Sequence, residues 1–207
     1  MTWLINFGCG FNMYPFLLPD TLNYLEIDKP EVVDLKQTKI KAWQQQGSLS
    51  ERKITFVGVD FTQDYQSALE RTITNLKKDQ PCFILLEGVI FFLNRAQSDD
   101  LFAFFHRLQG PGDWLGSASF RDTLKRTTAY KRLMAYTGQQ EFKTANKEDF
   151  QTFPDSYYKA LPNYSLIDHQ DYFSLSEHYG NPIQLPSDQI LNEHFYVLQR
   201  ISSMQRK

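Results

Sequence analysis

The residues best suited to chemistry stand at the ends of short apolar runs. Trp3-Leu4-Ile5-Asn6-Phe7 leads straight into Gly8-Cys9-Gly10, and Tyr24-Leu25-Glu26-Ile27 leads into Asp28. A strand ending in Gly-x-Gly bares its main chain, so a ligand can approach the backbone at the carboxyl end of a sheet. An acid at a neighbouring strand end can hold the two hydroxyls of a ribose. Together the two tips point to a nucleoside-bearing cofactor. A third glycine, which a pyrophosphate-binding turn needs, would fall at Met13, so the dinucleotide fingerprint is incomplete. Read alone, Gly-x-Gly is more simply an ordinary strand-to-helix turn, and it is the acid that argues for a ligand.

Two more apolar runs end the same way, at Asp60 and at Glu87. Ionised groups beside buried strands are costly unless solvated or paired, and a polar ligand rich in donors would pair them. The plainer use of each acid is as a cap on the following helix, where its charge meets the positive end of the helix dipole.

The elements that must position these tips alternate along the chain. Strands are expected over 3–7, 23–27, 54–59, 82–87 and 114–120, and helices over 11–18, from Pro30 to about 46, up to about Lys78 with Thr62 or Asp64 as cap, and over 95–108. A polar helix carrying Tyr130, Leu133 and Met134 follows. The last third is less regular, with strands over 164–172 and 194–201 around a short helix at 173–179. The near-continuous apolar run at 82–86 fits a central parallel strand covered on both faces. The alternation implies a three-layer α/β domain with a mainly parallel sheet, its early strand ends along one edge.

The 207 residues, 42% hydrophobic, suit one sizeable globular domain. Aromatics are abundant, with 17 Phe and 11 Tyr, and most should fill the core. A net charge of −2 without a basic block gives no sign of nucleic acid, and no run suits a membrane span or a signal peptide. The two cysteines, Cys9 and Cys82, have no ligand set with zinc spacing, which leaves two free thiols in a reducing cytoplasm and no metal.

Three blocks in order, residues 5–11, 24–32 and 85–93, resemble the leucine carboxyl methyltransferase-like family, which includes polyketide O-methyltransferases. The ending His194-Phe195-Tyr196-Val197-Leu198-Gln199-Arg200 is similar to that family's last strand. The resemblance implies a class I, Rossmann-like methyltransferase fold whose seven-stranded sheet has an antiparallel last strand. It implies S-adenosylmethionine as cofactor, with contacts at Gly8, Gly10, Asp28, Asp60, Phe61 and Glu87. Asp60 would accept from the adenine amine, the Phe61 N–H would face a ring nitrogen, and Glu87 would sit nearer the amino-acid part. The chain departs from the family at Asn12-Met13-Tyr14, where Asp-Thr-Arg is usual, and at Phe92, where Tyr is frequent. Relatives also carry helices before the first strand that close over the cofactor. Residues 1–207 are thus expected to form one methyltransferase domain without that amino-terminal cap.

Methyl transfer is an in-line displacement at an already activated carbon, so the protein mainly aligns the reactants. The expected acceptor is a carboxylate or hydroxyl of a small molecule, or a protein carboxyl terminus; a carboxylate needs no base, whereas a hydroxyl benefits from one. Among His106, His169, His178 and His194, the candidate base is His169, beside Asp171. Phe120, Arg121, Tyr130, Tyr157 and Tyr158 could shape the pocket of a small-molecule acceptor, or serve as core aromatics and a solvated arginine. A homo-oligomer is compatible with this reading. The competing functions are a non-catalytic partner protein that kept the fold, and a nicotinamide oxidoreductase, which the missing third glycine disfavours.

Overall fold

The computed structural model describes residues 1–139 and 151–202. Seven strands form one sheet in the order β3-β2-β1-β4-β5-β7-β6. β1 (Trp3–Phe7), β2 (Asn23–Asp28), β3 (Ile54–Gly58), β4 (Cys82–Leu86) and β5 (Trp114–Ser119) run parallel. β7 (His194–Arg200) lies antiparallel between β5 and β6 (Tyr164–Asp171). The mainly parallel sheet with an antiparallel last strand is therefore present as expected.

Side-chain alternation explains the layers. Trp3, Ile5, Phe7, Leu25, Ile27, Ile84 and Leu86 point to one face and join Leu69 and Ile73 of α3 (Gln66–Lys77) and Leu101, Phe104 and Phe105 of α4 (Arg95–Leu108) in the main core. Phe7 anchors it, with ring centroids 5.2 Å from Phe105 and 5.3 Å from Phe61. Each fully buried aromatic or aliphatic side chain of this set stabilises the fold by roughly 1.5–3 kcal/mol. Asn6 and Glu26 turn to the other face, which α2 (Pro30–Gln45) covers through Val33, Lys36 and Ile40. Pro30 opens α2 at its first turn, and Asn94 and Gln97 form a capping box on α4, worth about 1 kcal/mol for the cap alone.

Local chemistry moves some boundaries. The first helix, expected over 11–18, is the single turn α1 (Tyr14–Leu17), because residues 8–13 are taken up by the bend that follows β1. α3 starts at Gln66 without a side-chain cap, not at Thr62 or Asp64. Asp60 captures the Thr62 N–H and hydroxyl in a local turn instead, the usual competition between a short acidic side chain and a helix start. After β5 come α5 (Thr128–Gln139) and α6 (Asp155–Lys159), the latter not foreseen, and α7 (Tyr172–His178) after β6. Among the described residues no helix is long and apolar enough to cross a membrane.

Candidate functional site

The bend after β1 holds two glycines in the left-handed region at the carboxyl edge. Gly8 has φ +77° and Gly10 φ +44°, a region that side chains disfavour. A Cβ on Gly8 would lie 2.2 Å from Val89 Cγ2, whereas one on Gly10 would meet nothing within 4 Å. The first glycine makes room for the Val89 side chain, and the second faces open room. The Gly8 and Cys9 N–H groups both donate to the Ile27 carbonyl, at 2.8 and 3.0 Å, which stitches the β1 and β2 tips together. The Gly10 N–H donates to Asp28 Oδ2 at 2.8 Å, and Asp28 Oδ1 accepts from the Lys29 N–H at 2.7 Å. Bend and acid thus share one place, as a nucleoside site requires.

The strand order β3-β2-β1-β4 sets Asp60, Asp28, the glycine bend and Glu87 side by side. Asp60 is exposed, and its hydrogen bonds from Thr62 hold its carboxyl below the usual range. The Phe61 ring turns into the core against Phe7 and Tyr65, which leaves main chain as what Phe61 can offer a ligand. Glu87 accepts a hydrogen bond from the Tyr14 hydroxyl, so the bend is tied to the β4 tip as well. Burial, then that hydrogen bond, pushes the Tyr14 hydroxyl up and keeps it a donor.

Beneath the bend lies a polar set that spacing arguments passed over. Lys36 and Glu26 are 2% and 0% exposed and pair at 2.5 Å. Lys36 Nζ also donates to the Cys9 carbonyl at 3.3 Å. Asn6 Nδ2 donates to Asn12 Oδ1 at 3.0 Å and reaches Glu26 at 3.3 Å. Burial, then the Glu26 charge, pushes the Cys9 thiol up to about 12, so it is inert as a nucleophile. The signal was present in the sequence: Lys36 stands three residues after Val33 and four before Ile40, on the apolar stripe of α2.

Beyond β5 the same edge opens into a cavity of about 260 Å³, lined among others by Arg121, Leu124, Phe173, Ile190, Asn192 and His194. A larger hollow of about 410 Å³ runs along α4 and α6 by Arg95, Asp99, His106 and Tyr157, on the helical face and away from the glycine bend. Arg121 is half-buried and paired with both Asp155 oxygens. Phe120, Tyr130 and Leu124 form a small second core, while Tyr157 and Tyr158 lie in the main one.

His169 Nε2 lies 3.1 Å from His194 Nδ1, and its ring stacks on Tyr196 at 4.5 Å. Asp171, the carboxylate expected to orient His169, caps α7 and lies 3.9 Å from His194 Nδ1. Burial, then the nearby Arg121 charge, lowers His194 to about 4, so it is neutral near neutral pH. Glu193, one residue before β7, is pushed up to about 7 by burial and then by the charge of Glu87. No type or spacing argument singled out Glu193, whose proximity to Glu87 arises only when β7 inserts beside β5. Both cysteines are buried and free, and among the described residues no cluster of His, Cys, Asp or Glu could hold a metal.

A seven-stranded sheet of this order, with β7 antiparallel, defines a Rossmann-like class I methyltransferase fold. The chain belongs to the leucine carboxyl methyltransferase family, whose model matches residues 2–106. A protein of Mycobacterium tuberculosis, named as a candidate S-adenosyl-L-methionine-dependent methyltransferase, is 30% identical over 99 residues, 48% of this chain and 30% of that protein. A Mycobacterium marinum protein of the same description is 25% identical over 134 residues, 64% of this chain and 41% of that protein. The chain thus spans less than half the length of these curated relatives. Among solved structures, a candidate methyltransferase from Thermobifida fusca matches with TM-score 0.65 and 13% identity over 98% of this chain and 74% of that one. The N-methyltransferase NodS from Bradyrhizobium japonicum, solved with S-adenosyl-L-homocysteine, matches with TM-score 0.57 and 13% identity over 97% of this chain and 79% of that one. At such identity these likenesses concern the fold alone.

Proposed function

We propose that this chain binds S-adenosylmethionine across the tips of β1 to β4 and methylates a carboxylate or hydroxyl oxygen of a small molecule, as one domain working in the cytoplasm. The observation that carries the reading is the Gly10 N–H held on the Asp28 carboxylate, which joins bare main chain and a sugar-binding acid at adjacent strand tips. The open room above Gly10 fits such a group, since a side chain there would fill it. When bound, the cofactor supplies a methyl group activated by a sulfonium. In this reading Asp28 accepts from the ribose hydroxyls, Asp60 and the Phe61 main chain serve the base, and Glu87 with Tyr14 borders the amino-acid end. The cavity at Arg121 and His194 receives the acceptor, one strand over from Glu87. For a hydroxyl acceptor, Glu193 is a better-tuned base than His169, whose Nε2 is engaged by His194.

Calorimetric titration with S-adenosylhomocysteine tests the reading. Binding is expected, and Asp28→Ala should weaken it by about 1.5–3 kcal/mol, the worth of a hydrogen bond to a charged group. Absence of binding at millimolar ligand would leave the non-catalytic partner protein as the better description. Unchanged affinity in Asp28→Ala would move the ribose elsewhere.

A further inference from the structure

The buried pair under the glycine bend has a geometry that concerns one peptide group. The Cys9 carbonyl and the Gly10 N–H belong to the same planar unit and point in opposite directions. On one side the carbonyl accepts from Lys36 Nζ at 3.3 Å and from the Asn12 N–H at 3.3 Å. On the other side the N–H meets Asp28 Oδ2 at 2.8 Å. We propose that Lys36, held by Glu26, is a positioning residue: it clamps the Cys9–Gly10 peptide so that its N–H faces Asp28 and the acid is set for the ribose. The proposal rests on the cofactor reading given above but goes one layer below it, to groups that never touch the ligand.

The physical case is that this peptide has an alternative. With Gly10 free to take either sign of φ, a flip of the Cys9–Gly10 unit is sterically open. It would turn the carbonyl towards Asp28, set two acceptors face to face and push the carboxylate out of its pose. A cation fixed behind the carbonyl disfavours that flip, and because Lys36 is 2% exposed its attraction for the carbonyl is little screened even at 3.3 Å. Lys36 cannot drift, since Glu26 holds it at 2.5 Å and Asn6 reaches the Glu26 carboxylate from β1. A buried ion pair is weak support for stability, because burial offsets much of the attraction; control of one backbone orientation is a reason to keep it that an apolar pair could not replace.

The experiment is an ¹⁵N-labelled comparison of the full chain with the double variant Glu26→Gln/Lys36→Met. The double change removes both charges at once, because Lys36→Met alone would leave Glu26 buried and unpaired and could unfold the chain. Ile40→Ala, a core change on the same helix, serves as control. Without ligand, the Gly10 amide proton of the parent chain should be protected from exchange, and its chemical shift should respond to Asp28→Asn, the mark of its coupling to that carboxylate. In the double variant that coupling should disappear, and affinity for S-adenosylhomocysteine should fall about tenfold, or about 1.4 kcal/mol. Ile40→Ala should lower the melting temperature and leave the Gly10 signal in place. A double variant with the parent's Gly10 coupling overturns the proposal, whatever its affinity; so does a lost coupling with parent affinity. If the parent chain does not bind the ligand but Gly10 still uncouples in the double variant, the clamp stands and the cofactor reading fails.

Discussion

Glu193 shows how a side chain acquires its properties from the fold alone. Its carboxyl is raised to about 7 by burial and then by Glu87, so the folded state holds its proton more tightly than the unfolded chain does. Such a group supports the folded state fully below its unfolded value and loses that support as pH rises through about 7. Glu193→Gln should therefore raise the melting temperature at pH 8 by about 2–4 °C per kcal/mol relieved, and change it little at pH 4.5. Thermal melts at the two pH values check this; an equal shift at both would show that the Glu193 charge is not strained. At this scale the sequence revealed only what lies in one stretch of chain. Gly8, Gly10 and Asp28 were legible because residue type and strand end suffice to mark them. Lys36 under Cys9, Tyr14 against Glu87 and His169 against His194 were not, since each contact joins separate elements.

Elements were legible where one period ruled and were misjudged where a local bond competed with it. The strands at 3–7 and 82–86 and the helix at 95–108 follow from apolar patterning that one or both faces then bury. The shrunken α1 and the late start of α3 are decided by the β1 bend and the Asp60 turn, which hydropathy does not register. The bend makes its own prediction, because its two glycines serve different ends. Gly8→Ala drives a Cβ into Val89 at 2.2 Å and also strains a positive φ. It should lower stability by about 1–3 kcal/mol. Gly10→Ala meets no protein atom, so its stability loss should be the smaller, about 1 kcal/mol from backbone conformation. Its Cβ enters the room assigned to the ligand, so affinity for S-adenosylhomocysteine should fall more in Gly10→Ala than in Gly8→Ala. Melting curves and titrations of both variants check the crossing pattern, and parallel losses in the two would place the ligand away from the second glycine.

At the scale of the molecule, the sheet gathers what the sequence scatters. Asp28 and Glu87 lie far apart in the chain, yet only β1 separates their strands. The overall pattern of strand, helix and strand was readable, because parallel neighbours need covering crossovers; the reversal of β7 came from family resemblance and its place between β5 and β6 from the structure, since a reversed strand leaves no mark in hydropathy. That gathering gives the cofactor reading a global readout. A ligand that binds only the folded chain adds RT ln(1 + [L]/Kd) to stability, about 2.7 kcal/mol at a hundredfold excess over Kd. For a chain of this size that amounts to a rise of roughly 5–11 °C in melting temperature. S-adenosylhomocysteine should produce such a rise, and NADH at the same concentration should not, because the bend lacks the third glycine of a pyrophosphate site. The rise should shrink in Asp28→Ala and survive in a variant of the distant hollow on α4, such as His106→Ala. A rise with NADH alone would assign the cradle to a dinucleotide, and a flat response to both ligands would leave the fold without the cofactor proposed for it.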